Sequence, residues 1–291
     1  MSQVAAATSQ NALGGSLGGS SVTRIFGQDR VAIGVVHCPA FPGSPRHDGR
    51  PVEAIYDAAL RDCHAYAAGG IDGLIIENHG DLPFLRPDDI GPETAAFMTA
   101  ITRRAIAETG LPAGINVLAN APIPALAVAA ASGAQFIRVN QWANAYVANE
   151  GLLNGEAARA LRYRSRIAAQ HVAVFADSHV KHGAHAITAD RTVAELTRDL
   201  EFFDADGVIA TGQRTGDAVT DAELVGIRQA TSLPVLVGSG VTEANVGRML
   251  AHANGVIIGS SLKQGGVWWN PVEEPRVRSF MAQVRQVRAQ A

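Results

Sequence analysis

The segment 175–182 gathers an acid, two imidazoles and an amine within the sequence Phe-Ala-Asp-Ser-His-Val-Lys-His. Because successive residues of an extended strand alternate between its faces, the spacing predicts that Asp177, His179 and Lys181 lie on one side. Such a set favours proton transfer, since partial burial and neighbouring charges move pKa values toward working pH. A desolvated Lys181 could instead form a Schiff base, and a structural ion pair is the alternative without chemistry.

A second group occurs in segment 75–81, Ile-Ile-Glu-Asn-His-Gly-Asp. The same alternation places Glu77 and His79 on one side of the chain. A glutamate at the end of a buried strand is costly unless it is paired or used, so Glu77 is predicted to be a general acid or base. His79 is predicted to bind substrate, with loop capping as the alternative.

Two turns rich in small residues follow apolar runs near the C-terminus and are predicted to bind phosphate. Small residues let backbone N–H groups approach an anion at a helix N-terminus. Tight turns that need glycine for their backbone angles are the alternative. Lys263 would add a charge to this site or be a surface lysine. The predicted phosphate-binding residues are Gly238, Ser239, Gly240, Gly259, Ser260 and Ser261.

Further polar residues stand where apolar runs end, and they are predicted to contact substrate: His37, Asn116, Arg138, Asn140 and Thr211, together with His79. No tight spacing such as H-x-x-x-H indicates a metal site, so no ligand is assigned. A divalent ion held by acids and histidines from several strands is the alternative. Cys38 is not predicted to be a nucleophile, because it faces away from His37. Trp268 and Trp269 are predicted to pack beneath the last helix, with closure over the ligand as the alternative.

These residues are positioned by a recurring unit of a short apolar run followed by a helical pattern. The unit occurs eight times, the number that closes a (β/α)8 barrel, and a doubly wound sheet is the alternative. In a barrel the C-terminal strand ends, here called the mouth, form the active site. One barrel domain is therefore predicted at 25–291, after a disordered tail at 1–24. The predicted strands are 31–36, 72–76, 113–118, 136–140, 172–177, 207–210, 234–237 and 255–258.

Composition limits the partners. The chain has 291 residues, 18% of them charged, and a net charge of −3, with no basic stripe typical of nucleic-acid binding. No run reaches the roughly 18 apolar residues of a membrane span. Two cysteines without metal or disulfide spacing favour a reducing cytoplasm. A homo-oligomer is left open, because barrels often pair.

Several of these segments occur in the same order in a known family, which the chain resembles from about residue 25 to 291. The matching stretches are 33–45, 72–81, 114–118, 136–140, 176–182, 234–241 and 259–263. They resemble the BtpA/SgcQ family. The resemblance implies a TIM-type barrel. One member class is associated with photosystem I biogenesis at thylakoid membranes, and bacterial relatives look like sugar-metabolism proteins.

The residues predict an enzyme of a phosphorylated sugar or nucleoside-like small molecule, with isomerase, lyase or glycosyl-bond chemistry. Glu77 and Asp177 are the acid–base candidates, and His179 and Lys181 assist them. The alternative is a non-enzymatic assembly factor for a membrane complex, bound through an outer helix. An exposed apolar stripe on the outer helices would favour that alternative.

Overall fold

The computed structural model describes residues 20–212 and 218–290. Eight parallel strands close into a barrel, in the spatial order β1, β2, β3, β4, β7, β8, β9, β10, which confirms the predicted fold. The described residues contain the strands Val31–His37 (β1), Gly73–Glu77 (β2), Ala113–Asn116 (β3), Phe136–Val139 (β4), Ala145–Ala148 (β5), Gly151–Asn154 (β6), Ala173–Asp177 (β7), Gly207–Thr211 (β8), Val235–Gly238 (β9) and Gly255–Ile258 (β10).

A helix follows each barrel strand and covers the outside of the sheet. The helices α2, α3, α4, α6, α7 and α9 lie within one residue of the bounds that the helical patterns predict, which are 52–68, 92–108, 122–132, 193–203, 221–231 and 275–288. All described α-helices are Ser21–Phe26 (α1), Val52–Gly69 (α2), Pro92–Thr109 (α3), Pro122–Ser132 (α4), Ala157–Arg166 (α5), Val193–Phe202 (α6), Asp221–Ala230 (α7), Val246–Leu250 (α8) and Glu274–Ala289 (α9). None of them is long and apolar enough to cross a membrane.

The alternation of side chains along the strands divides the core into two layers. Ile33, Phe136 and Phe175 fill the barrel interior, whereas Ala32 and Val36 of the same β1 strand pack outward against the helices. All five side chains are buried. Because both faces of every barrel strand are covered, the strands are continuous apolar runs, as parallel sheets require.

The first described helix, α1, closes the bottom of the barrel. Ser20 caps it by accepting from the backbone N–H of Thr23. Val22 is fully buried in the interior cluster, and the Phe26 ring lies 5.8 Å from that of Phe136. Of the predicted tail at 1–24, residues 1–19 lie outside the described residues. Residues 21–24 are helical instead, because the barrel bottom offers Val22, Ile25 and Phe26 of this helix a place to be buried.

A short antiparallel hairpin of β5 and β6 was not predicted. It follows β4 and leads into α5 over the mouth, and Asn149 and Glu150 connect its strands. Gly151, with a φ of 97°, completes the turn. The hairpin also pairs with the loop after β7, through an antiparallel bridge between Val147 and Ala184.

Candidate functional site

Two adjoining cavities open at the mouth and share the side chains of Glu77, His79, Arg138 and Lys181. The first, of about 300 Å³, is called the cradle cavity because both predicted phosphate turns line it. The second, of about 340 Å³, is called the apolar cavity because the loop after β2 and the hairpin supply apolar walls. The four shared residues therefore stand between the cavity lined by the predicted phosphate turns and the apolar one.

Glu77, the last residue of β2, lies at the centre of this site. One carboxylate oxygen accepts from His79 Nδ1 at 2.7 Å and the other from Asn116 Nδ2 at 2.7 Å. Burial alone would raise the pKa of Glu77, but the hydrogen bond from His79 and the nearby charges outweigh it and hold the pKa below its usual range. In the described ranges no arginine or lysine forms an ion pair with Glu77. It is thus a buried carboxylate available as a base.

His37, at the end of β1, lies beside Glu77 as a neutral imidazole. Burial lowers the pKa of His37 to about 3. Its Nδ1 is 3.1 Å from the backbone oxygen of Trp268, which can only accept, so Nδ1 carries the proton. Nε2 then holds its lone pair, 3.9 Å from the carboxylate of Glu77. The Trp268 ring itself lines the cradle cavity and does not pack beneath the last helix as predicted, whereas Trp269 is exposed.

The group formed by His37, Glu77 and His79 could hold a divalent metal, because one ligand atom from each lies within 4.8 Å of the others. Two imidazoles and a carboxylate suit a transition metal with open coordination positions. No sequence spacing indicated this group, since its members come from two strands. Cys38 is buried on the helix-facing side, and burial raises the pKa of its thiol well above the ordinary value, as expected for a packing residue.

Asp177 does not present a free carboxylate. Arg138, from the neighbouring strand β4, donates to its two oxygens at 3.0 and 2.9 Å, and Asn140 Nδ2 donates to one of them at 3.2 Å. The Asp177 side chain is fully buried. A fork-to-fork pair of this kind fixes the direction of the guanidinium. The geometry makes Asp177 the residue that positions Arg138 between the two cavities.

The expected alternation beyond Asp177 is wrong, because β7 ends at that residue and the chain turns. Lys181 does reach the site and lines both cavities. Burial, followed by the charge of Arg138, lowers the pKa of Lys181 below the ordinary lysine value. His179 lines neither cavity and stacks instead on His185, with ring centroids 3.9 Å apart. Thr211 Oγ1 donates to the backbone oxygen of His179 at 2.7 Å, so it supports the loop.

The phosphate turns come together at the cradle cavity, although not at an α-helix N-terminus. Ser239 and Gly240 have φ values of 77° and 64°, a left-handed conformation that is uncommon for serine and marks a constrained turn. Ser261 Oγ ties the turns together by donating to Val241 O at 2.8 Å. α8 begins only at Val246, and a 3-10 turn follows β10, so loop backbone and hydroxyl groups form the cradle.

The other residues assigned to these turns divide between cradle and support. Ser260 and Gly259 line the cavity, and a side chain at Gly259 would collide with the His37 ring. Gly238 lies just beneath, where a Cβ would sit 3.6 Å from Arg138 Nη2. Lys263 is neither a phosphate ligand nor a surface lysine. It is buried in an ion pair with Asp62 at 2.7 Å, because the 3-10 turn after β10 directs it toward α2.

The apolar cavity contains the residues that the sequence did not indicate. Phe84 comes from the loop after β2, Tyr146 and Ala148 come from β5, and Val180 comes from the loop after β7. A recognisable signal did exist for the hairpin, since apolar runs flank the turn residues Asn-Glu-Gly at 149–151. The predicted Asn116 and Asn140 line this same cavity.

Comparison of the sequence with known proteins matches the chain to one family. The profile described as "BtpA family" matches residues 28–286. The chain is 40% identical to an uncharacterized protein of Archaeoglobus fulgidus, over 87% of this chain and 98% of that protein. It is 39% identical to the Photosystem I biogenesis protein BtpA of Synechocystis, over 88% of each.

Solved structures match the fold at low sequence identity. Tryptophan synthase of Mycobacterium tuberculosis superposes with a TM-score of 0.58 and 17% identity, covering 92% of this chain and 98% of that one. N-(5'-phosphoribosyl)anthranilate isomerase of Pyrococcus furiosus superposes with a TM-score of 0.53 and 13% identity, covering 88% and 99%. At these identities the likeness shows a shared barrel architecture.

Proposed function

The chain belongs to the BtpA family, and within it we propose that this protein is an enzyme of a phosphorylated sugar or nucleoside-like small molecule. One observation carries the proposal: both phosphate turns line the same cavity as Glu77, His37, His79 and Lys181. A phosphate held by the turns would place the adjoining carbon atoms of a substrate over these acid–base groups. The reaction class is isomerisation, lyase chemistry or cleavage of a glycosyl bond.

Each side chain has a role that follows from its surroundings. Glu77 accepts a proton from substrate, because its lowered pKa keeps it ionised at working pH and it stands where the two cavities meet. Lys181, whose pKa is lowered by burial, exchanges a proton with substrate or forms a Schiff base. Arg138, positioned by Asp177, stabilises negative charge that develops between the cavities.

The structural neighbours support the substrate class only as analogy. The name of the Pyrococcus enzyme states a phosphoribosyl substrate, so the barrel architecture can serve such a ligand. We place the phosphate of this chain's substrate at the loops after β9 and β10, which is the usual phosphate position in barrels. The reducing cytoplasm proposed from the sequence agrees with Cys38 and Cys63, both free and buried.

An assembly-factor role is the second candidate, since a Synechocystis relative is named for photosystem I biogenesis. Docking through an outer helix requires an exposed apolar stripe. Among the described residues, Phe202 at the end of α6 is the single large, exposed apolar side chain that belongs to an α-helix. The outer surface therefore favours the enzyme.

A thermal-shift experiment tests the proposal directly. The melting temperature is measured with inorganic phosphate, sugar phosphates and nucleoside monophosphates, with and without a divalent metal ion. A ligand of the native state raises the melting temperature by mass action. We expect phosphorylated compounds to stabilise the protein and the Ser239→Asp variant to lose the effect, because an added carboxylate repels phosphate from the cradle.

The control variant is Gln229→Glu, which adds the same negative charge on the exposed end of α7. It should respond to phosphate like the unmodified protein. Stabilisation that survives in Ser239→Asp, or a complete absence of any response to phosphate, contradicts the cradle and with it the proposed function.

A further inference from the structure

Two buried amide oxygens, in side chains that line the apolar cavity, lack a hydrogen-bond partner. They are Oδ1 of Asn116 and Oδ1 of Asn140, and neither finds a donor in residues 20–212 or 218–290. The two residues are only 2% and 7% exposed. A buried acceptor that is left unpaired is costly, so native proteins rarely keep one without a reason. Both residues line the apolar cavity, which is where a partner would have to come from.

The orientation of both amides is fixed by carboxylates. Asn116 Nδ2 donates to Glu77 at 2.7 Å, and Asn140 Nδ2 donates to Asp177 at 3.2 Å. A carboxylate can only accept, so neither amide can turn its oxygen toward it. The unpaired atoms of these two wall residues are therefore acceptors, and the partners that would satisfy them are O–H or N–H groups.

The opposite walls of this cavity are apolar. Leu82 and Phe84 stand on one side, and Tyr146 and Ala148 of β5 stand on another. Arg138, Lys181 and Glu77 lie at the border with the cradle cavity, and Glu150 of the hairpin turn is the remaining carboxylate that lines this cavity. A group that fills this space would have an apolar body and present a few donors to the asparagines.

We propose that the apolar cavity is the second half of the substrate site and binds a largely apolar group that carries O–H or N–H donors and is joined to the phosphorylated part of the same molecule. The inference rests on the proposed function, because it takes the phosphate in the cradle cavity as its anchor. A substrate that spans both cavities would pass over Glu77 and Lys181, and it would exclude water from them. A substrate with two linked phosphates would not fit, since the apolar cavity would offer the second phosphate hydrogen-bond acceptors and apolar walls.

The test uses synthetic probes in isothermal titration calorimetry with the full chain. Methyl phosphate fills the cradle alone. The isomeric hydroxybenzyl and aminobenzyl phosphates add a ring with a donor, and the matching methoxybenzyl and dimethylaminobenzyl phosphates add a ring without one. We expect at least one donor-bearing probe to bind about tenfold more tightly than methyl phosphate, because ring burial adds to affinity. Its donor-free analogue should bind at least about fivefold more weakly, because it forms no hydrogen bond with an asparagine oxygen.

Variants test whether the gain in affinity from the ring arises in the apolar cavity. Ala148→Trp fills it from the hairpin and should abolish the gain from the ring while methyl phosphate still binds. The matched control is Val147→Trp, which places the same side chain on the exposed face of β5 and should keep the gain. Leu82→Trp blocks the cavity from the opposite wall and replaces Ala148→Trp if that variant fails to fold.

The failure of this inference is distinguishable from the failure of the proposed function. If methyl phosphate binds but no ring improves affinity, or the gain persists in both blocking variants, the second half-site is wrong and the phosphate cradle stands. If neither inorganic phosphate nor methyl phosphate binds, the cradle is wrong and the inference falls with it.

Discussion

Acidic side chains stand at both ends of the barrel, with different partners. At the bottom, Asp72 accepts from the backbone of Ala32 at 2.7 Å and pairs with Arg288 of α9. Asp206, in the equivalent place before β8, accepts from the backbone of Val174 and pairs with Arg164 of α5, both at 2.9 Å. Each acid precedes a glycine that starts a strand, and each fastens that strand to its neighbour and to a helix.

At the mouth several charged and polar groups lack such partners. Glu77 is buried without an arginine or lysine partner, and Lys181 forms no ion pair with any part of the chain that the structure describes. Two asparagine oxygens are also unpaired there. Partnered charges at the bottom stabilise the fold, whereas the buried amine of Lys181 and the two unpaired asparagine oxygens at the mouth reduce its stability. The difference teaches that pairing, more than burial or residue type, separates the charges that stabilise this barrel from those that remain available to a ligand.

The largest expected effect is on stability. It concerns Arg138 and Asp177, which form an ion pair at the mouth and so differ from the unpaired groups around them. We expect Asp177→Asn to lower the free energy of unfolding by about 3–5 kcal/mol, because it leaves a buried guanidinium without its counter-charge. Chemical denaturation measures the change. Asp48→Asn, which removes the partner of Arg50 in an exposed pair, should change little. A loss of stability below about 1 kcal/mol for Asp177→Asn would show that this pair does not stabilise the fold as the pairs at the bottom of the barrel do.

Glu77→Gln should separate chemistry from stability. Once the thermal-shift screen has supplied a substrate, we expect turnover to fall roughly 10²–10⁴-fold through loss of the base. The free energy of unfolding should fall by about 1–3 kcal/mol, because one carboxylate oxygen is replaced by an NH2 group that faces a donor, either the Asn116 amide or the His79 imidazole. Steady-state kinetics and denaturation provide the two readouts. Normal turnover by this variant would show that Glu77 takes no part in the reaction.

Asp72→Asn tests the opposite end. Loss of the carboxylate weakens bonds to the Ala32 N–H, to Gln28 and to Arg288, so we expect roughly 1.5–3 kcal/mol of destabilisation. Turnover per folded molecule should not change, because the residue lies at the far end of the barrel. A fall in turnover with stability preserved would overturn the division between the two ends.

Lys181→Met has the smallest expected effect on stability, and we expect this variant to be more stable than the unmodified protein. Burial lowers the pKa of Lys181 in the folded protein, so folding is penalised at every pH where the unfolded lysine is protonated. We expect methionine to raise the melting temperature by about 1–3 °C at pH 7 while activity is lost. The penalty is complete below the folded pKa and fades as pH approaches about 10.4, the unfolded value. An advantage for methionine that stayed the same at pH 10 would argue against this cause.

Local patterns were enough to predict the barrel and the elements that form the site. Apolar runs with helical segments between them gave eight units, and Glu77, Arg138, Lys181 and the two small-residue turns were all found at strand ends. The same reasoning failed beyond Asp177, because it extended a strand past the point where β7 pairs with its neighbours. It also overlooked the hairpin, whose strands have only four residues each.

The sequence by itself determined the features that depend on residues close together along the chain. These are the buried strands, the helices that alternate with them and the presence of ionisable groups where strands end. Tertiary structure alone decided which of those groups are neutralised. Asp177 meets Arg138 from another strand and Lys263 meets Asp62 from another helix, but Glu77 and Lys181 keep their charges available. The physical reason is that pairing and desolvation depend on atoms brought together from distant parts of the chain, and sequence spacing does not record those distances.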